Sequence, residues 1–81
     1  MVHDLKILPQ YFQSVSSGEK TFEIRFNDRQ FSVGDTLILK EYFNNDYTGR
    51  TIDLRVTYLL SSKDFPEGLK DGYVILGTTK T

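Results

Sequence analysis

The cleanest alternation in the chain sets Ile52, Leu54, Val56, Tyr58 and Leu60 against Thr51, Asp53, Arg55 and Thr57. A period of two belongs to a β-strand, and this split gives one face to a core and the other to water. Such a strand suits a small sheet built over a single core. With 81 residues and no cysteine, neither a second domain, a disulfide framework nor a thiolate metal site enters the account. Burial must hold the fold together, and eleven Phe and Tyr residues supply much of it.

Other segments repeat the signal. Residues 2 to 8 alternate with His3, Leu5 and Ile7 on one side and Asp4 and Lys6 on the other. Pro9 suits the first turn of a helix, Tyr11, Phe12 and Val15 give that helix an apolar stripe, and Gly18 is placed to end it in the left-handed conformation. A strand then runs to Phe26, followed by a turn at Asn27-Asp28-Arg29 in which Asp28 is expected to cap backbone N–H groups. Residues 36 to 43 form the next strand, and residues 44 to 49 a loop that closes a hairpin with the alternating strand. Residues 61 to 69 read as a loop or single helical turn, residues 73 to 77 as a last strand, and residues 78 to 81 as a fraying end. Five strands and one early helix predict a small α+β, mainly β, mixed barrel, since there is no room for repeated crossover helices.

The densest chemistry lies in Gly18-Glu19-Lys20-Thr21-Phe22-Glu23-Ile24-Arg25-Phe26. A period of two sends Phe22, Ile24 and Phe26 towards a core and leaves Glu23 and Arg25 together on a wet face, with Lys20 at the strand mouth. An amine, a carboxylate and a guanidinium at this spacing make either a solvated, ion-paired strand face or a polar binding site.

These residues also carry a resemblance. Gly18, Lys20, Glu23 and Arg25 match the Gly-x-Lys-x-x-Glu-x-Arg signature of ASCH domains, part of the PUA-like superfamily of small β-barrels. His3-x-Leu5-Lys6-Ile7, Pro9, Tyr11-Phe12, Asn27-Asp28-Arg29, Phe31, Val33-Gly34-Asp35 and Glu41-Tyr42 resemble a compact bacterial and phage family of that superfamily, one without an assigned function. The resemblance implies a cleft beside the first helix and RNA or a modified nucleoside or nucleotide as partner. One branch of these domains resembles an amidohydrolase of acetylated cytidine, with a Thr nucleophile where this chain has Glu23, a Lys matching Lys20, and a later Glu for which Glu41 and Glu67 are candidates by type. A carboxylate cannot stand in for a hydroxyl nucleophile without a change of mechanism, although Lys20 and Glu23 can still exchange a proton through an ordered water.

The expected ligand-binding residues are therefore Lys20, Glu23, Arg25 and Arg29, with Asn27 and His3 as further candidates. Arg25 and Lys20 suit phosphate or a base carbonyl, while Glu23 suits an exocyclic amine or holds Arg25 in place. His3 shares a side with Leu5 and Ile7, so a buried, satisfied histidine competes with a ligand-binding one. Tyr42, Phe43 and Tyr47 flank the hairpin loop, where cross-strand packing competes with base stacking. A net charge of −1 argues against nucleic-acid binding by bulk charge and leaves a local basic patch as the route. No metal or cofactor is expected. A protein interaction module is the remaining class, and the absence of a long apolar run or a signal-peptide pattern suggests a cytoplasmic protein with no membrane partner.

Overall fold

The computed structural model describes residues 1 to 81. The elements run β1 (Val2–Ile7), α1 (Pro9–Ser16), β2 (Phe22–Phe26), β3 (Thr36–Phe43), β4 (Asp46–Ser61) and β5 (Tyr73–Lys80). All five strands join one sheet in the order β1-β3-β4-β5-β2, curled into a half-barrel, with β1 parallel to β3 and the other pairs antiparallel. Leu5, Ile7, Leu37, Leu39, Leu54, Val56, Val74 and Leu76 fill the concave side, and α1 covers them with Phe12 and Val15. Gly18 follows the helix at φ 85°, the left-handed conformation its sequence position called for.

Three local expectations are corrected. The hairpin loop is not six residues long: Tyr42 pairs with Tyr47 and Phe43 with Asp46, so only Asn44 and Asn45 turn the chain, at φ 57° and 65°. Positive φ at both central positions is the signature of a type I′ turn, whose twist matches that of the strands. The alternation of β4 does not hold throughout. A register shift between Val56 and Tyr58 adds a residue on that strand, so Val56 is buried, Leu59 packs on the core, and Tyr58 is 66% exposed. Finally, residues 78 to 80 do not fray, because the long β4 gives them partners: Thr78 pairs with Val56 and Lys80 with Leu54.

The two edges of the sheet are β1 and β2, and no backbone ladder joins them. Two guanidinium groups bridge the gap instead: an Arg25 Nη donates to the Lys6 carbonyl at 3.1 Å, and an Arg29 Nη donates to the Asp4 carbonyl at 2.8 Å. Asp4 and Lys6 are two residues apart on β1, so their carbonyls leave the strand on the same side. The open seam positions the candidate site.

Candidate functional site

The expected orientation of β2 is reversed. Phe22, Ile24 and Phe26 are 42%, 53% and 54% exposed, whereas Glu23 is 3% exposed. The register explains it: Glu23 lies opposite Leu76 and Arg25 opposite Val74, and both partners face the core. Cross-strand neighbours share a face, so pairing with β5 turns the polar residues of β2 inward. The period of two holds, but the buried face is the opposite of the expected one, because on an edge strand it follows the partner.

A buried carboxylate needs compensation, and Glu23 has it on both oxygens. Lys20 Nζ donates to Oε2 at 2.5 Å and an Arg25 Nη donates to Oε1 at 2.9 Å. Lys20 also donates to the Phe22 carbonyl at 2.6 Å. The amine, carboxylate and guanidinium are thus gathered into one network, with Glu23 at its centre and both cations partly exposed. Glu23 fixes the two cations, and the Nε and second Nη of Arg25 are left without a partner.

The network borders a cavity of about 470 Å³ between α1, the end of β1 and β2. Ile7, Leu8, Tyr11, Phe22 and Ile24 form its apolar walls, and Lys6, Lys20, Glu23 and Arg25 its polar lining. The Lys20 amine lies 4.9 Å from the Phe22 ring centre and 6.0 Å from that of Tyr11, so the cation sits between two aromatic surfaces. A second cavity of about 340 Å³ shares Lys6 and Arg25 with the first and adds Asp4, Leu5, Arg29, Lys40 and Tyr47. Across both, five cations (Lys6, Lys20, Arg25, Arg29, Lys40) meet two carboxylates (Asp4, Glu23). This local excess of positive charge is concealed by the chain's net −1.

Of the residues singled out from sequence, Lys20, Glu23 and Arg25 line the first cavity and Arg29 the second. Asn27 and His3 line neither. Asn27 accepts the Phe31 N–H at 3.0 Å, so it, and not Asp28, caps the turn. His3 is buried against Phe31, with Nε2 2.8 Å from Asp35 Oδ2. The hydrogen bond from His3, helped by the terminal ammonium of Met1, lowers the Asp35 carboxyl to about 2. Glu41 and Glu67 stand outside both cavities. Buried Glu41 accepts hydrogen bonds from Arg50 and from Thr48, which hold its carboxyl below the usual range, and the Arg50 guanidinium covers the Phe12 ring at 4.5 Å. Tyr42 and Tyr47 pack edge to face across the hairpin at 5.1 Å, with the Lys6 amine 4.4 Å from the Tyr42 ring centre. Lys6, Tyr11 and Lys40 were missed as site residues. Lys6 and Lys40 fall on the polar phases of their strands, but nothing local announces that the edges of β1 and β2 meet.

A family model described as a domain of unknown function, DUF3850, matches residues 2 to 78. The chain belongs to this family. Among its relatives, an uncharacterized 12.9 kDa protein encoded in the GpA 3′ region of Escherichia phage P2 is 37% identical over 75 residues. That match covers 93% of this chain and 65% of the phage protein, so the DUF3850 domain described here spans slightly less than two thirds of that relative. The crystal structure of hypothetical protein PH0355 superposes over the full length of both chains with a TM-score of 0.68 at 16% identity, a likeness of fold alone. What the DUF3850 site does must be argued from its chemistry.

Proposed function

We propose that this DUF3850 domain is an ASCH-type, PUA-like module that binds RNA or a modified nucleoside or nucleotide in the seam between β1 and β2. The observation that carries this reading is the pairing of apolar and aromatic walls with surplus cations in one cavity. Aromatic faces accept a base without regard to its edge, and cations accept its phosphate. Glu23 serves as the positioning carboxylate, since both of its oxygens are already engaged by Lys20 and Arg25. The Gly-x-Lys-x-x-Glu-x-Arg signature supports the ASCH assignment because three of its side chains border the cavity. Such a ligand implies a cytoplasmic place of action.

The test is binding of single-stranded RNA and of a nucleoside panel at several salt concentrations. Expected is an RNA affinity that falls as salt rises, through counterion release, and that weakens in Lys6→Gln and Tyr11→Ala. Absence of binding to every nucleic-acid probe, beside a defined protein partner, would replace this reading with an interaction module. A second reading draws on the hydrogen bond between Lys20 and Glu23, an ammonium and a carboxylate that border the cavity and could relay a proton to a ligand there. Release of acetate from an acetylated nucleoside, lost in Lys20→Met, would establish hydrolysis.

A further inference from the structure

The two cavities differ in chemistry and are joined through shared residues. Leu8, Tyr11, Phe22 and Ile24 make the first one's walls apolar, while the second gathers Lys6, Arg25, Arg29 and Lys40 around a single acid, Asp4. Both volumes fall within the range of about 300–1,000 Å³ typical of small-ligand clefts. We propose that the second cavity is a phosphate subsite, so that the ligand is a phosphorylated nucleotide whose base occupies the first cavity, and not a free nucleoside. This rests on the nucleotide-binding reading above and names its ligand class.

The donors there are incompletely used. Arg25 meets Glu23 and the Lys6 carbonyl through one Nη, which leaves its Nε and its other Nη without a partner. Arg29 spends one Nη on the Asp4 carbonyl, and its Nε stands 3.8 Å from Asp28, beyond hydrogen-bond range. Lys6 has no carboxylate within ion-pair distance and rests over the Tyr42 ring instead. Lys40 pairs with Asp4 at 3.2 Å across exposed surface, a contact too weak to hold it from an anion. A phosphate carries several acceptor oxygens and no competing donor at neutral pH, so it suits a cavity lined by these cations, and guanidinium forks favour it further. The surrounding bonds already hold both arginines in place, so little side-chain freedom is lost on binding.

The experiment compares four ribonucleosides, their 5′-monophosphates, inorganic phosphate, and one RNA 10-mer series with a 5′-hydroxyl or a 5′-phosphate, all by calorimetry. Expected is a monophosphate bound at least tenfold tighter than its nucleoside and than inorganic phosphate, with that ratio reduced several-fold in Lys40→Gln and in Arg29→Gln but unchanged in Lys63→Gln, which lies outside both cavities. Melting temperatures of the variants check that the fold is retained. A 5′-phosphate preference among the 10-mers assigns the subsite to a terminal phosphate. Equal binding of the two 10-mers, with a salt slope lowered by about one in Lys40→Gln, assigns it to an internal phosphodiester. Nucleosides binding as tightly as their monophosphates would overturn the phosphate subsite while leaving the base cavity standing. Silence from every probe would overturn both.

Discussion

Neutralising Glu23 tests the organisation of the site most directly. Glu23→Gln keeps the side-chain volume on the core face but removes the charge that Lys20 and Arg25 share, and its amide nitrogen must face one of two cations. Hydrogen bonds to charged groups contribute about 1.5–3 kcal/mol each when well shielded. Lys20 and Arg25 are 18% and 24% exposed, so water recovers part of that loss, and the amide oxygen still accepts from one of them. A net cost of about 1–2 kcal/mol follows, or roughly 5–15 °C in melting temperature for a domain of this size. Removing both cations instead, in Lys20→Met/Arg25→Met, leaves a buried carboxylate unpaired and costs about 3–5 kcal/mol. Urea denaturation with unchanged slope measures both variants. The reasoning fails if Glu23→Gln stays within about 0.5 kcal/mol of the wild type, the range of an ordinary surface change, or if the double variant is the more stable of the two.

Asp35, held at about 2 in the folded protein against 3.8 for the free side chain, stabilises the fold above pH 4 and loses that contribution as pH falls from about 4 towards 2. Asp35→Asn is expected to flatten the acid limb of a stability-versus-pH curve in that window, and an unchanged limb would refute the assignment. Gly72 sits at φ 85°, and an added Cβ would stand 2.6 Å from Phe26 Cε1, so Gly72→Ala should cost about 1–2 kcal/mol, read by thermal melting. Tyr11 is half exposed and outside the buried core, so Tyr11→Ala should weaken RNA binding several-fold while lowering stability by less than about 1 kcal/mol.

What the chain carries locally, it carries plainly. The alternations at His3, Leu5 and Ile7 and at Leu54 and Val56, the Pro9 start and Gly18 stop of the helix, and the triad spacing of Lys20, Glu23 and Arg25 are short-range patterns, and each reappears in the structure. Other features depend on a partner distant in sequence. Glu23 turns inward because β5 sets Leu76 opposite it, and Tyr58 turns outward because a register shift against β5 adds a residue. The cavities exist because curling turns the open edges of β1 and β2 towards one another across a gap, so that Lys6 and Lys40 join Arg25 and Arg29 there. The amino-acid order determined which residues alternate and where the helix begins and ends, since propensity and period act over a few residues. Which face of an edge strand is buried, and which cations converge, was decided only in the folded sheet, because burial belongs to strand pairs and charge density to surfaces that meet in space.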